Sequence, residues 1–164
     1  MLLESSIVVH RPPDVVSAYL ADTSKVSHWD RGVSRTEGKS EAAPGVGFEF
    51  DTLAHARGND KQGEWGRMSY RIKEIDPVRG CTVELTGGTG NARFFKSAEW
   101  RFRVDADPAG AKVHCVADFK VKWRYFFMAA ILYFMKSAIR RDLEGLKQRV
   151  ESEVPENGEK LQSA

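Results

Sequence analysis

Cysteine is scarce in this chain: Cys81 and Cys115 are its only two. Each sits inside an alternating apolar stretch, so both read as buried free thiols of a reduced compartment rather than a disulfide pair. No CxxC occurs, and His10, His28, His55 and His114 are scattered without ligand spacing. Neither a metal nor another cofactor is expected. Excess charge of one sign is also missing. Twenty-five Lys and Arg face 23 Asp and Glu, a net charge of +2, and no basic run forms a patch, so nucleic acid is not an expected partner. Long apolar runs are absent too. Tyr125 to Met135 offers about half of the ~20 residues needed to cross a bilayer. Met1 to His10 carries Glu4 and lacks the basic start and apolar centre of a signal peptide. The expected location is cytoplasmic.

What the chain does have is one long proline-free segment, Trp123 to Glu151. Met128, Leu132, Met135, Ile139, Leu143, Leu146 and Val150 recur every three or four positions and share one helical face. Phe127, Ile131, Phe134 and Ala138 form a second stripe beside it, and Phe126, Ala130 and Tyr133 fall on the far side. The first three turns are therefore apolar nearly all round, whereas Arg140, Arg141, Glu144, Lys147 and Gln148 make the rest an ordinary amphipathic helix. Such a start is either plain core or a surface for a peripheral membrane contact or a homodimer, since Lys120, Lys122, Arg124, Lys136, Arg140 and Arg141 flank it.

Ahead of this helix the period is mostly two. Leu2 to Val9 reads as a strand stopped by Pro12-Pro13, and Asp14 to Leu20 as a short proline-started helix. Asp22, Thr23 or Ser24 can cap a second short helix ending at Trp29. Strands follow around Val33 to Gly38, Val46 to Asp51, Arg67 to Lys73, Cys81 to Thr86, Arg93 to Val104 and Val113 to Trp123, with tight turns or loops between. Gly87 to Asn91 is a flexible loop and not a phosphate loop, because the lysine and the strand-to-helix context are missing. Hairpin-linked strands make an antiparallel sheet with one wet face and one apolar face to be covered. Only the C-terminal helix is long enough to cover it. A twisted sheet and one rod do not match everywhere, which leaves a cavity or groove.

The order of elements, with Ile7-Val8-Val9-His10-Arg11-Pro12-Pro13-Asp14 through Asp22 and then Trp29-Asp30, resembles the START-like superfamily. That superfamily is also called SRPBCC or helix-grip, and the likeness is to its polyketide cyclase/dehydrase-like branch. The resemblance covers about residues 1 to 153. It implies an α+β helix-grip fold: a curved antiparallel sheet of about seven strands (β-α-α-β6-α) wrapped around the long C-terminal helix. Residues 1–154 would form this one domain and residues 155–164 a disordered tail. It further implies a hydrophobic small molecule, lipid-like, quinone-like or polyketide-like, held between helix and sheet.

By strand phase the concave face should present Phe48, Phe50, Met68, Tyr70, Leu85, Phe94, Trp100, Phe102 and Phe119, opposite Phe127, Ile131 and Phe134 of the helix. All of them except Phe102 are the expected ligand-binding residues, unless they simply fill the core. Lys96 and Glu64 fall on the inward phase only if their strands stay regular; a bulge or strand end would put them in water. Asp14, Asp22 and Asp30 read as caps and turn residues, and His114 as outward. Catalytic residues stay unassigned, because no His-carboxylate pair or nucleophile with its base can be assembled from spacing. Carriage or sensing of a ligand is favoured over a cyclase or dehydratase that would use Tyr70, Lys96 or Glu64.

Overall fold

The computed structural model describes residues 1–60 and 62–155, with the backbone alone for residues 126–135. The expected tail therefore lies outside the described residues, as do the side chains of Phe127, Ile131 and Phe134. The chain runs β1 (Leu2–Val9), α1 (Pro13–Ala21), α2 (Val26–Trp29), β2 (Val33–Gly38), β3 (Glu49–Ala54), β4 (Met68–Asp76), β5 (Gly80–Gly88), β6 (Phe95–Asp107), β7 (Gly110–Val121) and α3 (Ala129–Glu153). Among the described residues the strands form one sheet of seven in the order β1-β7-β6-β5-β4-β3-β2. Every pairing is antiparallel, and the first strand lies beside the last.

Local chemistry accounts for the helix ends. Pro12 and Pro13 open α1 with Asp14 in the first turn, where a missing N–H costs nothing and a carboxylate faces the positive end of the dipole. Asp22 accepts from the Ser24 N–H at 3.1 Å and so caps the next turn. The long helix starts later than its apolar pattern suggests. Trp123–Met128 is a 3₁₀ segment, kinked at Tyr125, and the α-helix begins at Ala129.

The outer face of the sheet is polar and laced with cross-strand pairs, such as Lys73 to Glu99 and Arg71 to Glu49, each at 2.6 Å. The inner face is apolar and is covered twice. The rear of α3 contributes Ile139, Leu143, Leu146 and Val150, all buried, to a core shared with Val9, Val16, Leu20, Cys115 and Phe119. A second cluster, Phe50, Tyr70 and Ile72, lies on β3 and β4.

The region around β3 departs from simple alternation. Val46 is exposed and the strand starts only at Glu49. Asp51 and Leu53, on the supposedly wet phase, are buried, because the segment after Ala54 turns back over that face. Arg67 then reaches Asp51 at 2.9 Å and Glu64 at 2.6 Å.

Each end of the chain clasps the other. Arg11 donates to the backbone carbonyls of Glu151 and Val154, and Lys147 donates to the Val8 carbonyl at 2.8 Å. Glu153 pairs with Lys25 at 3.1 Å and accepts from the Tyr19 hydroxyl at 3.1 Å. α3 also approaches α2 closely at Gly145, where a Cβ would stand 2.6 Å from the Trp29 carbonyl oxygen. Glycine inside an exposed helix normally costs about 1 kcal/mol against alanine. Here the order reverses: Gly145→Ala should destabilise the protein by about 1–3 kcal/mol in urea titration, because the added methyl overpacks the α2–α3 contact. A more stable Gly145→Ala protein would contradict this packing.

Candidate functional site

The sheet's curvature opens a space under α1 and α2. Leu20, Val26, Trp29 and Asp30 roof a partly open cavity of about 70 Å³; Phe50 and Thr52 of β3, Tyr70 and Ile72 of β4, and Trp100 and Phe102 of β6 form its walls. A second, smaller cavity of about 50 Å³ shares Trp29, Asp30, Trp100 and Phe102 with it and is closed by Cys115 of β7 and Ile139, Asp142 and Leu143 of α3. The aromatic walls are packed edge to face: Trp29 on Phe102 at 5.8 Å, Tyr70 on Trp100 at 5.2 Å.

Of the expected ligand-binding residues, Phe50, Tyr70 and Trp100 meet in this cavity, joined by Phe102, which was expected on the concave face. Phe48 stacks behind Phe50 at 6.5 Å, and Met68 receives the Tyr70 hydroxyl on its sulfur at 3.4 Å. Leu85 is half-buried beside the core, and Phe119 is wholly buried against Trp100 and Phe95. Phe94 is displaced. A register shift between Phe95 and Ser97 leaves Phe94 in a 3₁₀ turn, edge to face with Tyr125 at 4.9 Å, and Phe95 takes the core position. The same irregularity leaves Lys96 exposed. Glu64 sits in a 3₁₀ turn outside the strand, tied to Arg67. Neither charge lines the described cavities.

Three polar groups converge here instead. Trp29 is 7% exposed, and its Nε1, a donor with no acceptor capacity, has no hydrogen-bond partner among the described residues. Asp30 ends α2. Its Oδ1 accepts from the Gly32 N–H at 2.8 Å, as a turn residue should, but the carboxyl also lines both cavities. Burial raises its pKa against smaller pulls from the Gly32 N–H and His55. Asp142, on α3, lies across the smaller cavity with only the Arg31 N–H, at 3.5 Å, on its carboxylate among the described residues. Burial, and next the charge of Asp30, push its pKa up to about 6, while Arg31 and Arg141 pull the other way. Burial also raises Tyr70, and it pushes both cysteine thiols up to about 12, so Cys81 and Cys115 are inert apolar filler at neutral pH. Trp29 and Asp142 were not readable as site residues, since a helix-ending tryptophan and a helix-face aspartate are ordinary. The one available signal was the Trp29-Asp30 pair itself.

A curved antiparallel sheet closed by two short helices and one long one, with a side-chain-walled hollow inside, defines a ligand-cavity fold of the helix-grip type. Residues 2–151 match the model of the family described as polyketide cyclase/dehydrase and lipid transport, and the chain belongs to that family. Among curated proteins none matches it significantly. Solved structures share the fold at low identity. TTHA0849 from Thermus thermophilus is 15% identical with a TM-score of 0.71, over 94% of this chain and 100% of that one. Ara h 8.0201 is 16% identical with a TM-score of 0.70, over 93% and 98%. Major latex-like protein 151 from Panax ginseng is 15% identical with a TM-score of 0.64, over 92% and 97%.

The electrostatics of Asp142 make a sign-definite prediction. Its folded pKa lies above the ordinary 3.8, at about 6. Ionisation therefore opposes folding, fully above about pH 6 and not at all below about pH 4. The rise corresponds to about 3 kcal/mol, cut to about 1–2 by the solvent that reaches the carboxylate. Asp142→Asn should be more stable than the parent by that amount at pH 7.5, with the gap closing below about pH 4 in urea titrations. A gap independent of pH would refute the assignment.

Proposed function

We propose that the protein binds a hydrophobic small molecule in the cavity beneath α1 and α2, as a carrier or sensor rather than a catalyst. The observation that carries this reading is the hollow walled by Phe50, Tyr70, Trp100 and Phe102 in a chain of this family. Dry apolar cavities take up apolar guests. At about 70 Å³ the hollow falls well below the ~300 Å³ of drug-sized sites. Its size and flat walls favour a single ring, free or as one end of a larger quinone-like or polyketide-like molecule, over an acyl chain. The start of α3, read as either plain core or a surface for a membrane contact or homodimer, carries side chains outside the described residues.

The alternative is a cyclase or dehydratase acting in the same space. Of the three groups it was expected to use, Tyr70 alone faces the cavity, and its raised pKa makes it a donor rather than a base. Asp30 is the observation that keeps this reading alive, since a half-buried carboxyl beside a cavity can move protons.

Two of the four tryptophans, Trp65 and Trp123, are 80% and 85% exposed, so a Trp65→Phe/Trp123→Phe variant leaves Trp29 and Trp100 as reporters inside the protein. One ring burying about 150 Å² gains about 4 kcal/mol, a Kd of about 1 mM. Toluene should shift the emission of that variant saturably in this range, and Val83→Phe, which fills the cavity, should remove the shift while leaving the circular dichroism unchanged. Native mass spectrometry should find an extractable apolar compound on the purified protein. A linear, unsaturable response together with an empty mass spectrum would overturn the reading.

A further inference from the structure

We propose that Trp29 Nε1 and the Asp30 carboxyl, backed by Asp142, form a polar pole that holds a hydroxyl group borne by the ring of an otherwise apolar ligand. The inference rests on the binding reading above and specifies the ligand's chemistry.

Three independent facts meet at this spot. First, the indole N–H is buried and unpaired among the described residues. An unsatisfied buried donor costs about 1–3 kcal/mol and is rare in native structures. Trp29 lines both cavities; its Nε1 itself has no open surface, so an acceptor on a guest reaches it with a small shift of the surrounding side chains. Second, Asp30 keeps acceptor capacity to spare. Of its oxygens, Oδ1 takes the Gly32 N–H, and no lysine or arginine pairs with the carboxyl among the described residues. It can accept a hydrogen bond from a guest. Third, Asp142 faces it from α3, so two half-buried acids share the site with Arg31, Arg141 and His55 as the charges around them. Neighbouring carboxyls disfavour a second negative charge, which suits a neutral guest better than an anionic one.

A hydroxyl is the smallest ring substituent that both accepts well from an indole N–H and donates to a carboxyl. A ketone could only accept, and an ammonium could only donate. The aromatic walls supply the rest of the guest, so the class is a small phenol or hydroxylated ring. Such a site rejects the analogue without the hydroxyl strongly, because its own polar groups are then left unpaired.

The test compares phenol, toluene and benzylamine by ligand-observed NMR on the full chain and on Asp30→Asn, Trp29→Phe and Asp142→Asn. Asparagine keeps the oxygen that takes the Gly32 N–H, so Asp30→Asn decides even where Trp29→Phe folds poorly. Phenol is costlier to desolvate than toluene. Even so, phenol should bind at least tenfold tighter than toluene to the parent. Asp30→Asn and Trp29→Phe should bring the two close to parity while toluene affinity holds, and Asp142→Asn should lower the ratio several-fold. Toluene matching or exceeding phenol in the parent, or a ratio unmoved by Asp30→Asn, overturns the polar pole and leaves the apolar cavity standing. Benzylamine binding tighter than phenol also overturns it, because the acids would then be a cation site. If neither toluene nor phenol binds, the cavity reading itself falls and the pole with it.

Discussion

Where α2 meets α3, no side chain separates the two backbones at Gly145. A helix of four residues does not hold itself, since nucleation alone is unfavourable. It is held because α3 lets it lie flat. Arg149 donates to the His28 carbonyl at 3.1 Å, and Glu153 pairs with Lys25 and, at 3.2 Å, with His28. That seat sets Trp29 on Phe102 and puts Asp30 over the hollow. The far half of α3 therefore does two jobs. Its apolar stripe closes the main core, and its glycine and polar edge position the roof of the cavity.

The polar groups are distributed unevenly, and the pattern bears on function. On the outer face carboxylates are matched by lysine or arginine in pairs such as Glu99–Lys73, which are worth little individually but keep that face solvated. Asp51, buried on the same face, still has Lys39 at 3.2 Å and Arg67. Inside, Asp30 and Asp142 have backbone N–H groups for company. A sequence optimised for stability alone would place apolar residues there, and such local violations concentrate at sites kept for another purpose.

Much of the architecture could be read from residue order. The alternation of Val113, Cys115, Ala117 and Phe119 against His114, Val116 and Asp118 marks β7 as plainly as its coordinates do, and Ile139, Leu143, Leu146 and Val150 mark the buried stripe of α3. The proline-started α1 and the Trp29-Asp30 ending carried the family resemblance. Period arguments failed where the backbone breaks period. One irregularity before Ser97 exchanged Phe94 for Phe95 and turned Lys96 outward. A segment folded back over β3 buried Asp51 and Leu53 on a phase that should be wet. The cavity was half legible. Phe50, Tyr70, Trp100 and Phe102 follow from strand phase. Trp29 and Asp142 come from two helices some hundred residues apart in the chain, and only their packing brings them together.

The pairing of β1 with β7 has a kinetic corollary. Val9 lies opposite Ala111, and Arg11 reaches across to the last turn of α3. These closures span most of the chain, so their loop entropy must be met before any of their contacts form. High contact order of this kind slows folding towards the millisecond-to-second range. As the polypeptide is synthesised, β2 to β6 can zip as successive hairpins while the first strand waits without a neighbour. The smaller hollow, closed by Cys115 and Asp142, thus exists only once the most distant segments have joined, whereas the walls and roof of the larger one all come from Leu20 to Phe102.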